Sequence, residues 1–261
     1  MIDFDLAPNL PRAALVTGAA RRIGRGVALD LSRAGVAVAI HYRTSQPEAE
    51  ALAAEITGAG GKAVALGADL AREAESAMLV SRANAALGSL GILVNNASLF
   101  ERDEALSVTR ASWDAHFETN LRAPFVLSQA FARQLPANGE GLIVNVVDER
   151  VWNLTPHFTS YTLSKAGLWT LTQTLALALA PRIRVNAIGP GPVLPSPRQS
   201  EAQFARQVAA VPLARGPTVE EIAAAVRFLA GQRSITGQMI ALDGGQHLSW
   251  ASPGRNATPD E

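Results

Sequence analysis

The sequence predicts a single-domain α/β fold, a doubly wound parallel sheet with helices on both faces. Short apolar runs alternate with segments of helical periodicity along most of the chain, and several of these runs end on glycine or on a polar residue. The 261 residues show no break in composition, so we expect one domain over residues 1–261. Parallel strands have their carboxyl ends at one edge of the sheet, so ligand-binding residues should follow the strands.

The first predicted unit is a strand, a glycine turn and a helix. Ala13–Val16 is a short apolar run, and it ends at Thr17–Gly24, after which an apolar helical pattern begins. This geometry directs free backbone N–H groups toward a phosphate. A second apolar run, Val36–Ile40, completes a βαβ unit of the expected size.

The residues after the second strand indicate which nucleotide the unit binds. In a βαβ dinucleotide site this position meets the adenosine ribose, where a carboxylate would hold a 2′-hydroxyl. Here Arg43, Thr44 and Ser45 follow the strand, and no acid occurs before Glu48. A guanidinium and hydroxyls suit a 2′-phosphate, which favours NADP(H) over NAD(H). The alternative is a solvated arginine in a turn.

The next elements continue the alternation. The pattern predicts a helix over Glu48–Thr57, a strand over Lys62–Leu66 and a helix over Arg72–Leu87, with Asp69 as a candidate N-cap. The strand Leu90–Val94 is followed by the adjacent amides of Asn95 and Asn96, which could satisfy loose backbone groups or leave room for a ligand.

The centre of the chain holds the candidate reaction site. A long helix is predicted from about Ser112 to Leu135, with Asn120 inside it. The strand that follows ends on Asp148, and a further helix places Tyr161 one turn before Lys165 on the same face. A nearby ammonium favours the ionised form of a phenol, so this helix predicts an acid/base site. The alternative is a chance pair on an exposed helix.

The last third of the chain supplies a lid and the final strands. A strand is predicted over Ile183–Ile188, and the proline-rich segment at about residues 193–217 is predicted to be a substrate lid. The helix Thr218–Leu229, with Glu221 three residues after its first threonine, carries the pattern of a capping box. A strand over Gln238–Leu242 follows, and the polar tail at about residues 249–261 is predicted to fray.

Composition excludes several classes of function. Lys and Arg total 23, as do Asp and Glu, without a block of like charge, so we expect neither a nucleic-acid partner nor an acidic one. The chain has no cysteine, which excludes disulfides and thiolate metal sites, and no metal site is predicted. The start lacks the pattern of a secretory signal, and polar residues interrupt the longest apolar stretch, so we expect a cytoplasmic protein that does not span a membrane.

The following motifs occur in an order that resembles the short-chain dehydrogenase/reductase superfamily: Thr17-Gly18-x-x-x-Arg22-x-Gly24, Asn95-Asn96-Ala97, Asn120, Tyr161-x-x-x-Lys165 and Pro190-Gly191. The resemblance implies a Rossmann-type fold, a nicotinamide cofactor and Tyr161 as proton donor. It implies that Lys165 holds the nicotinamide ribose and that Asn120 keeps a water in the proton relay. It also implies a homotetramer, with the helices of Asn120 and Tyr161 at an interface.

Two departures from the superfamily pattern are informative. Arg22 stands where the middle glycine of the phosphate turn is usual, and Asp148 stands where the catalytic serine is usual, thirteen residues before the tyrosine. Both replacements resemble the pteridine reductase and dihydromonapterin reductase branch. Ser98 and Phe100 resemble positions of that branch that contact the pterin and stack on it. A further match to the branch is the segment Asp243-Gly-Gly-x-His247-Leu.

These observations predict an NADPH-dependent reductase of a small molecule, a dihydropterin such as dihydromonapterin or dihydrobiopterin, with dihydrofolate as a further candidate. A carboxylate near Tyr161 opposes ionisation of the phenol, so the site favours proton donation and reduction. If Asp148 is buried, it could hold a proton and pass it to a ring nitrogen. The alternatives are an ordinary carbonyl reductase and a nucleotide-sensing protein without catalysis.

The predicted site residues fall into overlapping sets. The predicted catalytic residues are Asp148, Tyr161, Lys165 and Asn120. The predicted NADP(H)-binding residues are Gly18, Arg22, Ile23, Gly24, Tyr42, Arg43, Thr44, Ser45, Asp69, Leu70, Asn96, Ala97, Ser98, Tyr161, Lys165, Pro190, Gly191 and Val193. The predicted substrate-binding residues are Arg22, Ser98, Phe100, Asp148 and Tyr161.

Overall fold

The computed structural model of the chain describes residues 6–196 and 198–248, so the predicted polar tail at 249–261 lies outside the described residues. The strands are β1 (Ala13–Val16), β2 (Ala37–Tyr42), β3 (Ala63–Gly67), β4 (Ile92–Asn95), β5 (Gly141–Val146), β6 (Ile183–Pro190) and β7 (Met239–Leu242). The helices are α1 (Arg22–Arg33), α2 (Gln46–Gly58), α3 (Glu73–Leu87), α4 (Arg110–Phe117), α5 (Ala123–Gln134), α6 (Thr159–Leu179), α7 (Glu201–Ala210) and α8 (Val219–Gly231).

All seven strands form one parallel sheet in the order β3-β2-β1-β4-β5-β6-β7. The chain moves outward from β1 in one direction, through β2 to β3, and then returns to β4 on the other side of β1. This reversal of strand order opens a crevice at the carboxyl ends of β1 and β4. The predicted doubly wound, Rossmann-type α/β fold is confirmed.

Both faces of the sheet are buried by helices. Successive strand residues alternate between the faces. Val16 and Val94 therefore pack with apolar residues of α1, α2 and α8, whereas Leu15 and Leu93 pack with apolar residues of α3, α5 and α6. Because the sheet is covered on both sides, its strands are mostly apolar, and the exceptions inside them include the buried polar residues His41, Asn145, Arg184 and Asn186.

The long helix predicted over residues 112–135 is interrupted, which is a correction. A π-helical turn, Glu118–Arg122, separates α4 from α5 and contains the fully buried Asn120. Such a turn inserts a residue into the helical repeat and often lies at a functional site. The apolar periodicity continued across the interruption, so the sequence pattern did not detect it.

A second correction concerns Asp69. Helix α3 begins at Glu73 with Arg72 at its N-cap, so Asp69 does not cap the helix. Its carboxylate instead accepts a bond from the backbone N–H of Ala71 at 3.1 Å, and its own N–H donates to Glu75 Oε2 at 2.6 Å. The bonds of Asp69 therefore form a turn ahead of the helix.

Other local predictions agree with the structure within a few residues. Thr218 and Glu221 form the capping box predicted for α8. The predicted lid contains α7, which begins with a capping box of its own between Ser200 and Gln203. Among residues 6–196 and 198–248, no helix combines the length and apolar character needed to cross a membrane.

Candidate active site

Two adjoining cavities lie along the carboxyl edge of the sheet. The first has a volume of about 400 Å³ and extends from the turn after β1 to the ends of β2 and β3. The second has a volume of about 260 Å³ and lies beside Tyr161, beneath the lid. Their shared lining residues are Arg22, Ile23, Asn96 and Ser98.

The turn at the first cavity requires glycine at two positions. Gly18 has φ +60°, a left-handed conformation that side chains disfavour. A Cβ on Gly24 would lie 2.4 Å from the carbonyl oxygen of Gly18. The glycines therefore let α1 begin directly against the turn, which leaves its first N–H groups available to an anion.

His41 holds this turn in place, and sequence reasoning missed it. Its Nδ1 accepts the N–H of Gly18 at 3.0 Å, which assigns the proton to Nε2, and Nε2 then donates to the carbonyl of Ala68 at 3.0 Å. Burial lowers the pKa of His41 to about 4, so the ring is neutral at pH 7. A polar residue in an otherwise apolar strand was the available sequence signal.

Asn96, the first residue after β4, supports the same turn. Asn96 donates through Nδ2 to the carbonyls of Thr17 and Gly18, at 2.8 and 3.2 Å. The hydroxyl of Thr17 accepts the N–H groups of Asn96 and Ala97, at 2.9 and 3.0 Å. The side chain of Asn96 therefore satisfies backbone groups of the turn and lines both cavities, whereas Asn95 Nδ2 donates to Asn145 Oδ1 at 2.8 Å.

The far end of the first cavity carries the predicted ribose-side residues. Tyr42, Arg43, Thr44 and Ser45 line it together with Asp69 and Leu70. Arg43 is exposed, and the first acid after it, Glu48, is paired with Arg21 at 2.8 Å. No described carboxylate is hydrogen-bonded or ion-paired to Arg43.

The second cavity contains the predicted acid/base residues in direct contact. Tyr161 donates its hydroxyl to Asp148 Oδ2 at 2.6 Å. Lys165 is almost fully buried, its Nζ donates to the carbonyl of Val146 at 2.8 Å, and it lies 5.8 Å from the centroid of the Tyr161 ring. Burial lowers the pKa of Lys165 to about 8, while the charge of Asp148 acts in the opposite direction. Lys165 is therefore mostly cationic at neutral pH.

Asn120 lies behind the cavities, and its amide bonds to protein groups. Its Oδ1 accepts from the N–H of Leu99 at 2.8 Å, and its Nδ2 donates to the carbonyl of Leu99 and to Ser164 Oγ, each at 3.0 Å. Ser98 Oγ donates to the same Oδ1 at 3.2 Å. Asn120 thus ties the segment after β4 to α6, and its water-holding role stays a prediction.

Phe100 forms an aromatic wall of the second cavity. Its ring stacks on Phe158 with centroids 4.6 Å apart and meets Tyr161 edge to face at 4.7 Å. The guanidinium of Arg150 lies 4.9 Å from the Phe158 centroid and 5.9 Å from that of Phe100. The ring is therefore packed on a neighbouring ring and also lines the cavity.

A buried hydrogen-bonded cluster fixes the start of α6. Ser160 donates its backbone N–H to Asp103 Oδ1 at 3.1 Å and its hydroxyl to Asp103 Oδ2. His116 accepts the N–H of Glu101 through Nε2 at 3.1 Å, so its Nδ1 carries the proton and donates to Ser160 Oγ at 2.6 Å. These residues anchor the helix next to Tyr161, and sequence reasoning did not single them out.

The segment predicted to be a substrate lid is bonded to residues that line the two cavities. Arg22, which has φ 54°, donates to the carbonyls of Leu194 and Pro195 at 3.2 and 2.9 Å. Arg198 donates to the carbonyl of Phe100 and pairs with Glu101. These contacts hold the lid over the second cavity.

The structure places all the predicted site residues in the lining of one or both cavities, except Asn120. Pro190, Gly191 and Val193 line the second cavity beside Lys165. Among residues 6–196 and 198–248, no group of at least three acidic, cysteine or histidine side chains is arranged to hold a metal ion. The lining residues that the sequence did not single out include Glu149, Arg150 and Gln246.

Comparison with known proteins identifies the family. A family model described as enoyl-(acyl carrier protein) reductase matches residues 18–247, and a short-chain type dehydrogenase/reductase from Picea abies is 34% identical over 249 residues, covering 90% of this chain and 92% of that protein. The chain belongs to the short-chain dehydrogenase/reductase superfamily. The superfamily resemblance drawn from the motifs is therefore confirmed.

Two further relatives of this superfamily member differ in chemistry. The 3-oxoacyl-(acyl-carrier-protein) reductase FabG from Staphylococcus aureus is 35% identical over 247 residues, covering 92% of this chain and 100% of that protein. The FolM alternative dihydrofolate reductase 1 from Brucella canis has a crystal structure in complex with NADP. Its sequence is 49% identical to this chain, and the two structures align with a TM-score of 0.92. That alignment covers 95% of this chain and 100% of the Brucella chain.

Proposed function

We propose that the protein is an NADPH-dependent reductase of a C=N bond in a dihydropterin. The observation that carries the proposal is the bond of 2.6 Å between the Tyr161 hydroxyl and Asp148, where the superfamily pattern has a serine. The similarity to a FolM dihydrofolate reductase at 49% identity supports the same class of substrate. Dihydromonapterin, dihydrobiopterin and dihydrofolate are the candidate substrates.

The first cavity fits the cofactor. Gly18 and Gly24 keep side chains out of the turn, and the N–H groups at the start of α1 suit a pyrophosphate. Arg43 suits a 2′-phosphate because its guanidinium is positively charged and no described carboxylate is bonded to it. Lys165, Pro190 and Gly191 would hold the nicotinamide half where the cavities adjoin.

Reduction of C=N adds a hydride to carbon and a proton to nitrogen, giving a CH–NH unit. NADPH, when bound, supplies the hydride and is left as NADP⁺. The protein must supply the proton. Tyr161 carries one on its hydroxyl, whose oxygen lies 2.6 Å from Asp148 Oδ2. Transfer from Tyr161 to Asp148, and from Asp148 to the ring nitrogen, completes the balance.

Lys165 and Asp148 act on Tyr161 in opposite ways. The buried ammonium of Lys165 stabilises tyrosinate after the proton has left. The carboxylate of Asp148 accepts the hydroxyl hydrogen and opposes loss of the proton before the reaction. Together, the two groups keep the proton on Tyr161 until substrate binds.

Phe100 and Arg22 suit a flat, polar heterocycle. The Phe100 ring offers a stacking surface at the cavity, and its packing on Phe158 keeps it from rotating away. Arg22 reaches both cavities and adds a positive charge between the predicted pyrophosphate position and the substrate. It could therefore face a deprotonated pterin amide.

A carbonyl reductase is the second candidate. The FabG relative, a 3-oxoacyl-(acyl-carrier-protein) reductase that is 35% identical over 247 residues, favours reduction of a ketone. The two candidates differ in what residue 148 must do. A ketone needs a single proton donor, which Tyr161 alone provides, whereas the proposed route to a ring nitrogen passes through Asp148.

Substrate turnover by the Asp148→Ser variant separates these candidates. NADPH oxidation is measured with a panel of dihydropterins, dihydrofolate and ketones. We expect wild-type turnover of pterins and a loss of about 10²-fold or more in Asp148→Ser. Undiminished pterin turnover by this variant would remove Asp148 from the proton path, and wild-type turnover of ketones alone would establish the second candidate.

Two further predictions belong with this proposal. We propose a homotetramer formed through the helices that carry Asn120 and Tyr161, and residence in the cytoplasm. Light scattering of the purified protein tests the first, since a monomeric mass contradicts it. Fractionation of cells that express the protein tests the second.

A further inference from the structure

The second cavity contains a concentration of unpaired polar atoms. Buried polar side chains in proteins nearly always have a partner. Within residues 6–196 and 198–248, six buried side-chain N or O atoms have none. Three of them, Glu149 Oε2, Arg150 Nε and Gln246 Oε1, belong to residues that line this cavity. The other three, on Asn84, Asn95 and Thr162, belong to residues that line neither cavity.

The three residues belong to one wall. Glu149 and Arg150 lie in a 3-10 turn directly after Asp148, and Gln246 begins another 3-10 turn near the end of the described chain. The two turns are joined by a bond of 3.3 Å from Asn153 Nδ2 to the carbonyl of Gln246. The rings of Trp152 and His247, 5.3 Å apart, pack between the same turns. The two turns therefore form one continuous wall of the second cavity, next to Asp148.

The charge state of Glu149 follows from its surroundings. Its side chain is buried, and the carboxylates of Asp148 and Asp243 lie nearby, whereas Arg150 acts in the opposite direction. Burial and those carboxylates raise the pKa of Glu149 to about 8. Asp243 is occupied by the N–H groups of Gly245 and His247 and by the ring of His247. At neutral pH, Glu149 is thus mostly a neutral acid that can both donate and accept a hydrogen bond.

The atoms restrict the chemistry of the ligand. Gln246 Oε1 can only accept a hydrogen bond, and Arg150 Nε can only donate one. A carboxylate ligand offers no hydrogen to Gln246 Oε1 and would meet the like charge of Asp148, which lines the cavity, while an ammonium offers no acceptor to Arg150 Nε. A hydroxyl donates and accepts through one atom, so adjacent hydroxyls satisfy all three protein groups.

We infer that Glu149, Arg150 and Gln246 form a polar subsite that binds a neutral, hydroxyl-bearing side chain of the substrate. The inference rests on the proposed function and makes it more specific. The heterocycle occupies the region of Phe100 and Tyr161, and its side chain reaches the polar wall beyond Asp148. A dihydropterin with a short polyhydroxylated side chain therefore fits better than one with an anionic tail.

The test compares two substrates that differ only in the side chain. One dihydropterin carries a vicinal diol, and the other carries a methyl group in its place. The quantity measured is the ratio of kcat/KM for the two, for wild-type protein and for Gln246→Leu and Glu149→Leu. We expect the ratio to favour the diol in wild-type protein and to fall about tenfold in each variant. Glu149→Gln, which keeps a donor and an acceptor, should retain most of the wild-type ratio.

Gln238→Leu is the matched control. It removes the same amide from an exposed position outside both cavities, so its ratio should equal that of wild type. Gln246 is only partly buried, so Gln246→Leu serves if Glu149→Leu does not fold. An unchanged ratio in Gln246→Leu and in any folded Glu149→Leu overturns the subsite while leaving the reductase intact. Wild-type protein that oxidises NADPH with neither pterin overturns the proposed function and the subsite with it.

Discussion

The two cavities at the carboxyl edge are built in different ways. The first is formed by residues next to the ends of β1 to β4, and its turn is held by bonds from His41, Thr17 and Asn96. The second collects side chains from Phe100, the Asp148 turn, α6, the lid and residue 246. Three residues that line the second cavity carry buried polar atoms without partners, and no described residue that lines the first cavity does.

The difference separates what each cavity can recognise. A cavity made from backbone groups at fixed strand ends suits a ligand of constant shape, such as a dinucleotide. A cavity made from side chains on segments distant in sequence can change its substrate without changing the sheet. Substitutions should therefore affect cofactor and substrate independently, except at the shared residues such as Arg22 and at the second-cavity residues predicted to contact the nicotinamide half, which are Tyr161, Lys165, Pro190 and Gly191.

The largest effect is expected for Tyr161→Phe. The variant removes the hydroxyl that contacts Asp148, so kcat should fall by about 10³-fold. NADPH affinity, measured by fluorescence titration, should change far less because the first cavity is untouched. A kcat within about tenfold of wild type would contradict the role of Tyr161 as proton donor.

A large effect on NADPH affinity, rather than on kcat, is expected for Gly24→Ala. The added Cβ would lie 2.4 Å from the carbonyl of Gly18, so the turn must shift and NADPH affinity should fall at least about tenfold. Gly58→Ala is the matched control, because a Cβ there has open space. Equal NADPH affinity in the two variants would contradict the assignment of the first cavity to the cofactor.

A smaller effect is expected for Arg43→Ala. Loss of a charge-assisted bond to a 2′-phosphate should lower the preference for NADPH over NADH by about tenfold. Arg33→Ala removes the same charge from the exposed last turn of α1 and should leave the preference unchanged. The measurement is kcat/KM for each cofactor, and an unaltered preference in Arg43→Ala would show that the arginine is only a solvated turn residue.

The pH dependence of stability should differ in sign between the cavities. The pKa of His41, at the first cavity, is lowered by burial from 6.5 to about 4. Between these values the unfolded chain binds the proton and the folded chain does not. The free energy of unfolding should therefore fall, by up to about 3 kcal/mol, as pH decreases from 6.5 toward 4. Denaturant melts should show a shallower decrease for His41→Asn, and an equally steep one would contradict the neutral ring.

Glu149, at the second cavity, should give the opposite trend. Its pKa is raised from 4.5 to about 8, chiefly by burial, so the folded chain holds a proton that the unfolded chain has lost. The stabilisation is present below pH 4.5 and is lost as pH rises through 8. The same melts should show a loss of stability as pH rises from about 4.5 to 8 that is absent in Glu149→Gln. Identical profiles over this range would mean that the carboxyl is ionised in the folded protein.

The elements that depend on local pattern were predicted well. The strand ends, the glycine turn and the capping box of Thr218 and Glu221 follow from residues close together in sequence. The π-helical turn at Asn120 was missed because apolar periodicity continues across it. The cap proposed at Asp69 was wrong because its carboxylate bonds to a turn ahead of the helix.

The sequence by itself determined the parallel α/β sheet, the phosphate turn and the residues placed at the strand ends, because hydrophobic period and glycine act over a few neighbouring residues. Only the tertiary structure decided that Arg22 bonds to the segment predicted to be a lid and that Glu149 and Gln246 share a wall. Those contacts join residues far apart along the chain. Side-chain directions across such distances depend on packing, and residue order does not specify them.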